Sequence, residues 1–217
     1  MSKPKFLLSL FFCGILFFTE ESFSQGVDTT YLPSRLLNGK VYKQDHGSLK
    51  GDPGYLFSTF SDSCEIMYDG VYFKKVPLFY DLIKQEVIYY DVDKNLPLSL
   101  NKDLISSFVI GGDKFIHVFS GEEGIEKGFY KVIFSGKEFE ALVAISKSIK
   151  ENSLSNEIVN EVVADSRHYV RVRGRFHKVT SERALSRLLK KDIKLDIRFK
   201  EEPEAYIKTF LSLVDHQ

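Results

Sequence analysis

Short apolar runs divided by turn-forming residues predict a mainly β (α+β) chain. The expected core is an antiparallel sheet, curved, folded as a sandwich or partly closed as a barrel, with helices at its C-terminal end. Three observations carry this reading. Between residues 38 and 146 the apolar runs are short and are cut repeatedly by Gly, Asn and Asp. Asp69-Gly70 stands between two such runs and is a dipeptide favoured in two-residue type I′ hairpins, where both central residues need φ > 0. After Ser181 the apolar spacing lengthens to that of a helix. Strands do not alternate with long helices, which disfavours a doubly wound α/β fold.

The elements follow in order. Residues 25–37 read as a lead, Asn38-Gly39 as a turn, and 47–54, with three Gly and one Pro, as a loop. Strands are expected at 65–68 and 71–76 around Asp69-Gly70, then at 77–82 and 86–90 across Lys84-Gln85. Further strands fall at 96–100, 104–110, 114–119, 129–134 and 137–146, with a Gly-rich acidic loop at 121–128. The polar stretch 147–156 reads as a loop, and 158–163 fits either periodicity. Residues 169–172 and 175–179 make a last hairpin around Arg173-Gly174. The helical part then covers about 181–217. Ser181 is placed to cap a helix with Leu185, Leu188 and Leu189 inward and Arg183, Arg187 and Lys190 in water. Glu202-Pro203-Glu204 opens a second helix, with Ala205, Tyr206, Phe210, Leu213 and Val214 inward. Between the two, Ile193, Leu195, Ile197 and Phe199 alternate with charged residues, which favours an extended segment.

The N-terminus has the pattern of a secretory signal peptide: Lys3 and Lys5, an apolar run over residues 6–18, then the small-x-small site Ser22-Phe23-Ser24. Cleavage is expected after Ser24, leaving a single β-rich domain over 25–217. A spanning helix needs about 20 apolar residues, and Thr19-Glu20-Glu21 ends the run too early for one. Lipidation at Cys13 is disfavoured, because Phe11 and Phe12 precede it and the apolar run continues beyond it. Removal of Cys13 leaves Cys64 alone, so no internal disulfide is expected and Cys64 reads as a small buried hydrophobe.

The chain has 217 residues with 30 Lys+Arg and 30 Asp+Glu. Zero net charge argues against a generic nucleic-acid binder. The neutrality is uneven: residues 25–166 carry 15 basic and 21 acidic groups, and residues 167–217 carry 13 and 7. Such a basic C-terminal region either docks on its own acidic β body or faces anionic envelope components, in which case binding should weaken with salt.

The stretch from Tyr68-Asp69-Gly70-Val71-Tyr72 through Val76-Pro77-Leu78-Phe79-Tyr80-Asp81-Leu82 resembles a group of uncharacterised secreted β-rich proteins of Bacteroidota, which show a YDG-x-Y…V-x-L-x-YD stretch. The likeness continues at Ser107-Phe108, at Gly128-Phe129-Tyr130 and at the Arg173-Gly174 hairpin. It implies an exported or envelope β-rich protein and carries no activity.

Motifs for chemistry are sparse. Asp91, Asp93 and Asn95 open like an EF-hand loop, but Leu96 and Lys102 stand where Gly and Glu are needed, so a strand-connecting turn is expected. His46, His117, His168, His177 and His216 form no zinc pattern; His168 and His177 flank the last hairpin and lack a third ligand. Glu122-Glu123 and the pair Glu138 and Glu140, expected on one strand face, are the acid pairs a glycosidase reading would use. No nucleophile elbow, Walker loop or dinucleotide fingerprint is present. Tyr68, Tyr72, Phe73, Phe79, Tyr80, Tyr89 and Tyr90 cluster in one strand-rich stretch, where they pack a core or, on an open face, form a partner surface.

No catalytic, cofactor-binding or metal residue is therefore expected. The expected role is non-enzymatic: binding of an envelope protein or an anionic envelope component by an exported protein that is periplasmic, outer-membrane-associated or extracellular. A hydrophobic small-ligand carrier with a cavity in the curved sheet is the second reading, and a glycan-acting enzyme the third.

Overall fold

The computed structural model describes residues 33–44, 54–57, 61–121, 124–154 and 157–215. The leader expected at 1–24, most of the loop expected at 47–54, Glu122-Glu123, His46 and His216 lie outside the described residues.

A short helix, α1 (Pro33–Leu36), precedes eleven strands: β1 (Lys40–Val41), β2 (Ser61–Tyr68), β3 (Val71–Asp81), β4 (Glu86–Asp91), β5 (Leu96–Ser99), β6 (Ile105–Ile110), β7 (Asp113–Val118), β8 (Gly128–Ser135), β9 (Glu140–Leu154), β10 (Glu157–Val172) and β11 (Arg175–Val179). Helices α2 (Glu182–Leu189) and α3 (Pro203–Val214) follow. The strands form one antiparallel sheet in the order β1-β5-β4-β3-β2-β6-β7-β8-β9-β10-β11, not closed into a barrel. The predicted mainly β class with C-terminal helices is the observed one.

The tight turns have the residues their backbones demand. Asp69 and Gly70 take φ 50° and 71°, and Arg173 and Gly174 take φ 52° and 82°, the positive pairs of a two-residue hairpin. Residues 71–76 and 77–82, read as two strands, are one strand, β3. Pro77 is tolerated because β3 pairs with β4 only from Leu78 onward. Just before it, Lys75 at φ 54° forms a bulge where Cys64 opposes Val76 and Glu65 opposes Lys74.

The largest departure from expectation is at 147–156, read as a loop. Residues 147–154 extend β9, which stays paired in register with β10 from Leu154↔Glu157 to Glu140↔Arg171. Beyond Val143 and His168 the two strands pair only with each other, as a projecting ribbon. Its polar sequence carries no burial pattern to read, and cross-strand pairing is what defines it as a strand. At its base, Lys147 N–H donates to Leu82 O at 2.9 Å, and Gln85 Nε2 donates to Ile145 O at 3.1 Å. These bonds hold the β3–β4 turn against β9, five strands from β3 along the sheet order, so the sheet curls strongly.

Inside the curl lies the main core. Phe108 stacks on Phe115 at 4.8 Å, with Tyr80 edge-on to both at 5.2 and 5.4 Å. Such ring pairs contribute about 0.5–1.5 kcal/mol each beyond their burial. The face that carries Phe115 and Phe129 continues as Ala141 on β9 and Val170 on β10, and there α2 and α3 pack on it. The opposite face buries Val118, Ile125, Tyr130, Leu142, Tyr169 and Phe176 as a smaller cluster.

Ser181 caps α2 as expected, its Oγ accepting from Ala184 N at 3.2 Å. In α3 the inward face differs from the one read. Leu213 is exposed, and Ile207 and Leu211 are buried with Tyr206, Phe210 and Val214. The apolar residues of α3 span more than one stripe, and contact with the sheet selects among them. Between the helices, Ile193, Leu195, Ile197 and Phe199 pack on the helical cluster while the charged residues between them are exposed, so the extended reading holds.

Candidate functional site

Several sequence candidates resolve into structural roles. Asp91 accepts from Lys94 N in the turn leading to Asn95, whose φ is 52°, so this segment is the strand connection expected. Glu138 does not share a strand face with Glu140, contrary to expectation. It lies in the β8–β9 turn, where its N–H donates to Asp215 Oδ1 at 2.9 Å, and Glu140 pairs with Arg171 at 3.2 Å. The N–H groups of Lys137, Glu138 and Phe139 are bound to the Asp215 carboxylate rather than to a neighbouring strand, so the strand begins at Glu140.

The aromatic stretch divides as alternation requires. Tyr68, Phe73 and Tyr80 are buried in the main core. On the other side, Phe79 and Tyr90 meet edge-on at 6.3 Å, and Tyr55 covers Phe79 at 5.5 Å. Tyr72 alone is exposed among the seven, bonded to Glu65. Tyr55, itself in contact with Tyr42, therefore covers part of what an open aromatic face would have been. The inside of the curl, where a carrier's cavity would sit, is filled by interlocking rings.

The three described histidines differ sharply. His117 Nδ1 bonds Ile105 O at 3.0 Å, and its ring lies against Phe119 and Phe129 at 4.2 and 4.5 Å. It borders a cleft of about 330 Å³ but is satisfied. His177 is half-buried opposite Val170, two pairs away from the His168↔Val179 pair, so the two histidines share a face without standing directly opposite. His168 is 6 % exposed, and its Nε2 has no hydrogen-bond partner. Burial holds its pKa below the ordinary 6.5, against the opposing pull of Glu204.

His168 forms part of the wall of a larger cleft, about 730 Å³, between the end of the β10–β11 hairpin and the starts of α2 and α3. Phe199 stands edge-on to the imidazole at 6.1 Å, and Val179 and Pro203 add apolar wall. Ser181, Glu182 and Arg183 bring the start of α2 to the cleft, and Pro203 that of α3. The α3 start has no side-chain cap.

The cleft's charges are asymmetrically committed. Glu182 Oε1 accepts from Phe199 N at 3.1 Å, and Asp165 pairs with Arg167 at 3.6 Å. Glu204, beside Pro203, pairs with Lys131 at 3.0 Å. Arg183 and Lys200 form no ion pair among the described residues, and neither do Lys178, Lys190, Lys194 or Lys208. Docking on an acidic body thus leaves much of the C-terminal positive charge uncompensated. Lys178 belongs to the opposite face, since it pairs in register with Tyr169 of the smaller cluster.

Sequence reading named His168 only as half of a weak histidine pair and did not foresee the cleft. The signal available was the clustering of basic residues after 166 next to two helix starts. Among the described residues no group of three or more His, Cys, Asp and Glu could hold a metal ion. No helix among the described residues is long and apolar enough to cross a membrane. No family model, curated protein or solved structure matches the chain.

Proposed function

We propose that this is an exported cell-envelope protein that acts by binding rather than by catalysis, and that its basic C-terminal region makes the contact with an anionic envelope component or an envelope protein. The observation that supports this best is the uncompensated positive charge of that region, with Arg183 and Lys200 unpaired at the mouth of a cleft. The signal-like leader and the resemblance to secreted proteins of Bacteroidota point to the same compartment. Charge of one sign on an exposed face attracts anions over a Debye length of about 8–10 Å at physiological salt, and added salt screens it.

The test is capture by the tagged protein from its native envelope at low and at high salt, with lipid and protein eluates both identified. Salt-sensitive recovery of one anionic component or partner is expected. Recovery of nothing reproducible at low salt would sink the proposal. The intact mass of the exported protein checks the compartment: a mass that retains residues 1–24 refutes cleavage after Ser24.

A further inference from the structure

We propose that the cleft at His168 binds a small molecule with an oxyanion head, a carboxylate or phosphate monoester, carried on an apolar body. The proposal rests on the binding role above and names the site and ligand chemistry within it.

Four independent features converge there. A volume of about 730 Å³ lies in the range of small-molecule sites, which run from about 300 to about 1,000 Å³. His168 is nearly fully buried with Nε2 unpartnered, an arrangement that costs stability unless a ligand or water completes it. Two helices of positive N-terminal dipole begin at the cleft, which favours a negative group there; Ser181 already caps α2, and α3 reaches the wall through Pro203. Arg183 and Lys200 supply unpaired positive charge, while the acids of the cleft hold partners of their own.

The alternatives fit less well. A cationic ligand would meet both helix starts and both free cations. A purely apolar ligand would bury His168 Nε2 further and leave it unpaired. A metal would need a third ligand, and among the described residues no group of three or more His, Cys, Asp and Glu could hold one. An oxyanion accepts from the imidazole N–H and faces the cations, and Val179, Phe199 and Pro203 cover the body that carries it.

The experiment is an NMR titration of the full exported chain, read at the His168 imidazole, with four probes: butyl phosphate, hexanoate, phosphatidylglycerol vesicles and hexyltrimethylammonium. Butyl phosphate or hexanoate should shift His168 at millimolar concentration and raise the thermal midpoint. Arg183→Glu, an exposed change that leaves the core intact, should weaken that binding about tenfold or more. His168→Gln should weaken it as well. A response to the soluble probes assigns the oxyanion to a soluble metabolite, and a response confined to vesicles assigns it to a lipid headgroup; both place it at His168. An unmoved His168 with every probe overturns the proposal, as does equal binding of the ammonium probe. Salt-sensitive envelope capture that persists in Arg183→Glu with His168 unmoved removes this site and leaves the binding role standing. A shifted His168 without envelope capture does the reverse.

Discussion

The Tyr42 hydroxyl donates to the fully buried Asp81 carboxylate at 2.7 Å. Asp81 Oδ1 also accepts from Ile83 N at 2.8 Å and Lys84 N at 2.9 Å, so one carboxylate orders the β3–β4 turn and ties the N-terminal segment to it. That turn is also the one that meets β9 through Leu82 and Gln85. Burial, with the bonds to Tyr55 and Asp81, pushes the Tyr42 phenol pKa well up, so Tyr42 remains a donor through the neutral range. Tyr42→Phe should cost about 1.5–3 kcal/mol, because it takes a donor from a buried charged acceptor. Urea denaturation measures this, and a loss below about 0.5 kcal/mol would show that the bond is idle.

Asp215 performs a comparable task at the other end of the chain. Its carboxylate accepts from the backbone N–H groups of Lys137, Glu138 and Phe139 at 2.8, 2.9 and 3.3 Å, fastening the end of α3 to the β8–β9 turn. Asp215→Ala should destabilise by about 1–3 kcal/mol. Gly136→Ala should act in the same direction, since a Cβ there would collide with the Asp215 carboxylate. A thermal melt of the two single variants and the double variant checks the pairing: the double loss should fall well short of the summed single losses.

Stability should depend on pH through His168. Its folded pKa lies below the ordinary 6.5, so between the two values the unfolded chain binds more protons than the folded one. The contribution is complete above about 6.5 and is lost as pH falls from there toward the folded value. Glu204 on α3, Glu182 and Arg183 on α2, Lys200 between the helices, His177 on β11 and Asp165 on β10 surround this site, and of these Glu204 opposes the shift. His168→Gln should flatten the part of the stability–pH curve just below pH 6.5. An unchanged curve in that window excludes His168 as its source.

Cys64 is 1 % exposed on β2. Thiol labelling mapped to Cys64 should be slow in native buffer and complete in urea, with a native rate that tracks opening of the sheet. Fast native labelling at this residue would contradict its burial.

Much of the fold is legible in the sequence because its turns are local. Asp69-Gly70, Gly111-Gly112 and Arg173-Gly174 all adopt positive φ, and each sets a hairpin register by itself. The Ser181 cap and the Pro203 start are local in the same way. Where no local signal exists the reading fails: the β9–β10 ribbon has neither apolar alternation nor a sharp turn dipeptide, and Leu213 and Leu211 are equally apolar until the sheet selects one.

The candidate site was legible only as a basic region beside two helix starts, the cleft itself not at all, and the reason is physical. His168 is unremarkable until Phe199 and the starts of α2 and α3 close over it, and burial and hydrogen-bond partnership exist only once that packing exists. Sequence by itself determined the β class, the hairpins, the helix starts and the polarised charge, each a matter of nearest neighbours or of counting. The tertiary structure alone decided which histidine lost its partner and which cations stayed unpaired, because desolvation and pairing depend on residues far apart in the chain.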